Sequence, residues 1–300
     1  LTTDSTHVGT AIPYTSTNAN DRIEGKLTAT IGQNHTLQGS YLNNKTEQTG
    51  PSLASYAADP ATFYDPPRTL PNNLFVVSYN GVLSSNLFAE VQYSQKKFKF
   101  ENSGGKSTEL IDSPIFALNY SPAQYYNAPY FDNNDPEDRD NRQIAAALSY
   151  FLTTGGAGRH DLKLGYENYR STRTGGNSQT ATGYVINADY LGGAGTPVLD
   201  SNGRFQPVFI PFDTLIGRWL PVKGSQLDIT TQSLYLNDRW QVTSKLSANV
   251  GVRYEKIRSE ATGDIVGADT DTIVPRLALS YDVSGDGKWK LDATYAQYAG

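Results

Sequence analysis

Residues Leu246–Glu255 alternate without a break. Leu246, Ala248, Val250, Val252 and Tyr254 fall on one parity, and Ser247, Asn249, Gly251, Arg253 and Glu255 on the other. Successive side chains of a strand point to opposite faces, so this segment is apolar on one face and polar on the other. A second limb, Ile229–Trp240, precedes it across a turn at Val242–Lys245, and the two predict a hairpin. The predicted limbs, ~10 to 12 residues, exceed the ~5 to 6 usual in soluble sheets. A strand of ~9 to 11 residues tilted by ~45° is what crosses a bilayer. Either a protein core or lipid hydrocarbon must therefore cover the apolar face.

The same pattern recurs along the chain. Ile23, Leu27, Ala29 and Ile31 lead into Gly32–Asn34 and then Leu37 and Tyr41. Phe75, Val77 and Tyr79 precede Leu87, Ala89, Val91 and Tyr93, and Ile144, Ala146, Leu148 and Tyr150 precede Leu162, Leu164 and Tyr166. Ile273, Leu277, Leu279 and Tyr281 precede Trp289, Leu291, Ala293 and Tyr295. Residues 1–20 lack periodicity and read as a loop or a strand entry. Short strands are expected near 115–120, 184–190 and 205–210. Mean hydropathy is −0.49 over 300 residues, which suits a soluble chain, but a membrane barrel gives the same average because its loops and half of every strand are polar. No run of 18 apolar residues exists, so no transmembrane helix is expected. A net charge of −5 without a basic stripe excludes a nucleic-acid partner, and the absence of cysteine excludes disulfides and thiolate metal sites. Leu1 is not an initiator and no leader follows it, so the chain reads as processed or partial.

The connections carry topology. Short turns after residues 31, 83, 153, 242 and 283 alternate with predicted loops at 44–72, 101–140, 173–224 and 259–271. Irregular links above ~12 to 15 residues are uncommon in compact soluble domains. On alternate links of a meander they would all lie at one end. Short turns on one rim and long loops on the other is the pattern of an outer-membrane barrel. The expectation is an all-β fold: residues 1–300 form a segment of an antiparallel transmembrane β-barrel, with about ten strands present.

Aromatic positions fit that reading. Tyr41, Tyr93, Tyr166 and Tyr295 fall about seven residues beyond their short turns, and Tyr254 about nine, all on the apolar parity. That places a ring of tyrosines ~16 to 20 Å from the turn rim. Trp240 and Trp289 share the parity and lie beside short turns. Two aromatic girdles around an apolar band of ~25 Å are what the two membrane interfaces select, although tyrosine is also simply a good strand residue. Asp238 breaks the pattern by sharing parity with Leu236 and Trp240. Either it lies at headgroup level, where its cost is small, or a bulge shifts the register.

Ser233–Glu255 resembles a barrel hairpin of TonB-dependent outer-membrane receptors, the Oar-like group in particular. Val274–Asp282, with Asp286–Lys288 at the turn and Ala293–Tyr298 beyond, is similar to the next hairpin of that family. The resemblance is specific over roughly 230–300 and diffuse elsewhere. It implies a barrel of about 22 strands in the bacterial outer membrane, plugged by an N-terminal domain. It also implies transport of a bulky ligand, driven by an inner-membrane energising complex acting through the plug. No plug and no coupling box stand in this sequence.

Candidate chemistry is sparse, and no enzyme activity and no catalytic residues are expected. The three histidines are His7, His35 and His160. Two lie beside short turns, opposite the loops, which argues against a Ser-His-Asp triad. Asp132–Asp140 is the densest acid cluster. It is either solvated loop or a Ca²⁺ site, with Asp132 and Asp135 as candidate ligands. No other cofactor is expected. Just before it, Tyr120–Phe131 concentrates aromatic residues in a loop. Tyr125, Tyr126, Tyr130 and Phe131 either form a small core of their own or grip a ligand, and the same holds for Phe212, Trp219 and Pro221. Two functions fit: a receptor that selects a ligand with its loops and passes it through the lumen, or a non-transporting surface barrel with an adhesive or structural role. Outer-membrane lipid is a partner in both. A soluble β domain is the third alternative.

Overall fold

The computed structural model describes residues 2–6, 13–50, 57–58, 66–116, 125–126, 132–189, 191–193, 195–196, 198–199, 201, 206–220 and 222–297. The strands are β1 (Thr2–Thr6), β2 (Pro13–Ile31), β3 (His35–Thr49), β4 (Ala57–Ala58), β5 (Arg68–Ser84), β6 (Leu87–Lys99), β7 (Ile115–Phe116) and β8 (Tyr125–Tyr126). They continue as β9 (Asp138–Thr154), β10 (Gly158–Thr174), β11 (Tyr184–Asn187), β12 (Leu215–Arg218), β13 (Gln226–Gln241), β14 (Leu246–Ala261), β15 (Ile265–Asp282) and β16 (Lys290–Ala296).

Eleven of these form one antiparallel sheet in strict chain order, β1-β2-β3-β5-β6-β9-β10-β13-β14-β15-β16. The sheet is open, with β1 and β16 as its edges. Each strand pairs with its neighbour in chain order, and where the link is a tight turn, as between β13 and β14, the turn sets the register. From Gln241↔Ser247 to Leu227↔Ala261 the β13–β14 ladder runs without a slip. A one-residue slip would send every apolar side chain to the wrong face. Asp238 therefore belongs on the apolar face, and the bulge explanation is wrong. The register shifts lie elsewhere, at Val82/Ser84 and Ser259/Glu260.

Among the described residues no second protein layer covers the apolar face. Leu164 is 46% exposed, Val250 47% and Leu291 65%. Burying such side chains is worth ~1.5 to 3 kcal/mol each relative to water, so a sheet bare on this face needs another apolar medium.

The strands are longer than the sequence predicts, with β13 and β14 at 16 residues each and β2 at 19. At ~3.3 Å per residue and ~35 to 45° of tilt, 16 residues climb ~37 to 43 Å, beyond an apolar band of ~25 Å. The excess is wet on both faces and carries no apolar parity. That is why residues 1–20 carry no period although β1 and the first eight residues of β2 lie there. The predicted loop 259–271 is also strand: β14 and β15 run on to a three-residue turn at Thr262–Asp264, where Gly263 and Asp264 take positive φ. The true long connections are 50–67, 100–137 and 175–225.

Candidate functional site

The three long connections meet. Five short strands form a second sheet in the order β12-β11-β7-β8-β4. The strand Ile115–Phe116 pairs in parallel with Ile186–Asn187, and Tyr125–Tyr126 pairs with Ala57–Ala58. Tyr125 and Tyr126 thus share a sheet with β12, and Trp219 follows β12 directly, donating its backbone N–H to Gly183 O at 2.7 Å. Tyr130, Phe131, Pro221 and His7 lie outside the described residues. Phe212 and Leu220 are exposed and Trp219 is half-exposed. Strand β12 was missed in the sequence because four residues are too few to show a period. The strand expected at 205–210 is reduced, among the described residues, to one bridge between Asp189 and Val208.

The connections are also tied by two carboxylates. Asp135 accepts backbone N–H groups of Asn177 (3.1 Å) and Ser178 (3.2 Å) on one oxygen and of Gly224 (2.8 Å) on the other. Asp132, its side chain wholly buried, accepts the Asn134 N–H and faces Lys223 Nζ at 3.1 Å. The chain passes through Gly175 with φ +71°, where a β-carbon would meet Pro136 O at 2.2 Å. Only glycine fits so close an approach. Both acids proposed as Ca²⁺ ligands are thus engaged by loop amides and a lysine. Among the described residues no three His, Cys, Asp or Glu side chains cluster to hold a metal. Lys223, Ser178 and Gly175 carried no signal in the sequence, because they are distant in the chain and ordinary in type.

The polar face of the sheet is lined by paired charges. Arg253 donates to Glu167 (2.9 Å), Ser233 (2.7 Å) and Glu255 (2.6 Å), and its guanidinium lies 5.5 Å from the Tyr235 ring centroid. Tyr235 lies across Gly165, where a β-carbon would meet the ring at 2.2 Å. Lys163 Nζ donates to Glu90 at 2.8 Å. A concavity of about 500 Å³ opens on this face, lined by Asp161, Lys163, Arg239, Asn249 and Arg276 among others.

The apolar face carries the tyrosines and tryptophans of the expected girdles. Across the ladder Tyr41 faces Phe75, which faces Gln95, two residues loopward of Tyr93. Tyr93 faces Ile144, which faces Asn168, two residues loopward of Tyr166. Tyr166 faces Leu234 and, through it, Tyr254, with no offset. Tyr295 faces Leu277, which faces Val250, four residues turnward of Tyr254. The tyrosines slip eight residues over the eight strand steps from β3 to β16, always in one sense. One residue (~3.3 Å) per strand spacing (~4.8 Å) corresponds to a strand tilt of ~35°, which lies in the barrel range. A level belt on tilted strands requires this slip. At the turn end, Trp240 stacks on His160 with centroids 5.2 Å apart and donates its indole N–H to Ala157 O at 2.5 Å. His160 Nδ1 meets Asp238 Oδ2 at 2.7 Å. No serine hydroxyl bonds to this pair among the described residues. Trp289 ends the β15–β16 turn, accepting the Val283 N–H on its carbonyl.

A family model described as Outer membrane beta barrel domain matches residues 2–298. The chain belongs to the outer-membrane β-barrel domain family. It therefore lies in the bacterial outer membrane, with its apolar face toward lipid. No curated protein sequence matches it. Solved structures with this fold include the outer membrane transporter YddB from Escherichia coli, at 14% identity and a TM-score of 0.57, with 97% of this chain and 33% of that chain covered. The siderophore receptor PiuA from Acinetobacter baumannii matches at 13% identity and a TM-score of 0.53, covering 98% and 43%. P. aeruginosa FpvA, solved with heterologous pyoverdines, matches at 13% and 0.56, covering 97% and 36%. The chain spans about a third to two fifths of these proteins, and the likeness is one of fold.

Proposed function

We propose that this barrel wall belongs to a TonB-dependent receptor, of Oar-like type, that captures a bulky ligand at its loops and passes it along the lumen. The observation that carries the reading is the meeting of three long connections in one small sheet, above a wall whose polar face is concave and charged. Tyr125, Tyr126 and Trp219 come from two separate loops and belong to, or border, that sheet. Tyr130 and Phe131 are proposed with them as ligand contacts. Relatives of the fold are named as transporters and siderophore receptors, which favours transport over a purely adhesive barrel. Tyr41, Tyr93, Tyr166, Tyr254 and Tyr295 are proposed as the loop-side girdle and Trp240 and Trp289 as the turn-side girdle. The one-sided slip of the tyrosines, eight residues over eight strand steps, supports this assignment. Energy would come from an inner-membrane complex acting through a plug domain elsewhere in the protein. Asp132 and Asp135 act in this reading as loop ties, and a bound Ca²⁺ is not needed to hold them.

The test compares what cells remove from their medium. Wild-type cells, a gene deletion and a variant with residues 176–222 replaced by a short Gly-Ser turn are grown side by side. The proposal expects a solute taken up by the wild type alone, with uptake abolished by a protonophore. Equal uptake by the loop-replaced variant, or no solute separating wild type from deletion, would favour the non-transporting barrel.

A further inference from the structure

The outer edge of the loop sheet is open among the described residues. Strand β12 pairs with β11 on one side and ends the five-stranded order. Trp219 donates its N–H to Gly183 O, and Arg218 faces Tyr184. Antiparallel pairs alternate between bonded and unbonded, so the odd residues of β12 bond to β11. Ile216 and Arg218 turn their N–H and C=O groups the other way, where no backbone partner stands among the described residues. All four residues of β12 are exposed, Leu215 at 62% and Ile216 at 63%. Natural edges are usually guarded by proline, lysine or a bulge, and Leu215–Arg218 has none of these.

The turn before β12 presents an aromatic ring. Ile210 O accepts the N–H groups of Asp213 (3.1 Å) and Thr214 (2.9 Å), and the Ile210 N–H donates to Thr214 Oγ1 at 2.8 Å. Phe212 is held there at φ 71°, a conformation that bulky residues rarely adopt, with its side chain fully exposed. Leu220, beyond the strand, is exposed as well. Asp213 and Arg218 flank Leu215 and Ile216, are exposed, and make no ion pair among the described residues. An apolar strand with a free edge, a carboxylate before it and a guanidinium at its end is complementary to an antiparallel copy of itself.

We propose that β12 pairs edge to edge with β12 of a second copy of this chain. A symmetric antiparallel pair centres on one residue opposed to itself, and Ile216 has its bonding groups free for that place. Leu215 then faces Gly217 of the partner subunit, which leaves room for it. Thr214 faces the partner's Arg218, which brings that guanidinium within reach of Asp213, and the symmetry makes this contact twice. Phe212 comes level with the partner's Leu220. A two-fold axis along the membrane normal keeps both barrels in one bilayer. So small a contact is weak in dilute solution, and the pair belongs to the membrane plane. The pairing goes beyond the receptor reading and does not depend on it.

The test uses the full-length protein in native outer-membrane vesicles, with any other cysteine removed. Ile216→Cys treated with a short bifunctional thiol reagent should give a band at twice the monomer mass. Gln33→Cys, exposed on the turn rim, should not. In the Ile216→Cys background, Asp213→Arg or Arg218→Asp should each lower the dimer yield by about fivefold or more, since like charges then meet. The exchange of both, D213R/R218D, should restore about half of it or more. Heat-modifiable gel migration checks that each variant is folded. An equal dimer yield from Gln33→Cys, or no recovery in the double exchange, overturns the proposal. So does a thiol at position 216 that is consumed at the monomer mass or does not react, because another part of the same protein then covers the edge.

Discussion

His160 and Asp238 meet at 2.7 Å on the apolar face of neighbouring strands, under the ring of Trp240. A carboxylate among Leu236, Leu162 and Trp240 is explained by this partner: an uncompensated charge there would be costly, and a paired one shielded by an indole is not. The pair is diagonal, since His160 faces Trp240 and Leu162 faces Asp238. Removing one member leaves the other half-buried on the apolar face without its partner, at a cost of about 1 to 3 kcal/mol. Asp238→Leu and His160→Leu should each destabilise the refolded barrel in a urea titration. The double variant should lose less than the two single losses together, with a coupling of about 0.5 to 3 kcal/mol. Additive losses would show that the contact does not stabilise the sheet.

Charge placement should separate the faces of β14. Val250→Lys puts an ammonium in the hydrocarbon at a cost of ~2 to 4 kcal/mol near the midplane. Asn249→Lys points into the polar, water-facing concavity and should cost little. Refolding titrations in the same lipid measure both.

Asp135 should hold the loop sheet in place. Asp135→Ala strands three backbone donors, those of Asn177, Ser178 and Gly224. The expected result is faster proteolysis within residues 175–225 on whole cells, with the barrel itself still heat-modifiable. Asp135→Asn keeps one acceptor oxygen and should fall between. Unchanged cleavage in both would mean that the small sheet, not the carboxylate, sets loop order.

Asp228 gives the acid dependence. It lies on the loop-side extension of β13, beyond the apolar band. Burial pushes its carboxyl up, but hydrogen bonds from Thr172, Gln226 and Arg170, with the Arg170 charge, outweigh that and leave it below the usual carboxylate value. A lowered folded value stabilises the native state above the unfolded value of ~3.9, and that stabilisation is lost as pH falls through the lowered one. The stability difference between wild type and Asp228→Asn should hold from neutral pH to about 4 and shrink below it. A constant difference down to pH 2 would contradict the assignment.

The alternating hairpins were legible because one face of each strand meets an apolar medium and the other does not. Leu246–Glu255 is the clearest case, and its partner register follows from the turn. Where a strand leaves the band, both faces are wet and the alternation ends; Asn18 to Asn20, on β2, and Ala268 to Asp271, on β15, show no strand period for that reason. The loop site was legible only as aromatic composition. Its geometry depends on pairings such as Ile115 with Ile186 and on Asp135 reaching Gly224, and contacts so far apart in the chain leave no local trace. His160 with Asp238 was hidden for the same reason, though the misplaced acid marked where to look.

The central claim is that lipid covers the even parity of Leu246–Tyr254. The chain has no cysteine, so single Cys substitutions at positions 246–254 can carry a nitroxide each, with any cysteine elsewhere in the full-length protein removed. Accessibility to oxygen against a polar nickel chelate is then measured in bilayers. The account predicts high oxygen and low chelate contact at 248, 250 and 252 and the reverse at 249 and 251, a strict two-residue period. Equal accessibility on both parities, or chelate contact at Val250, would contradict it.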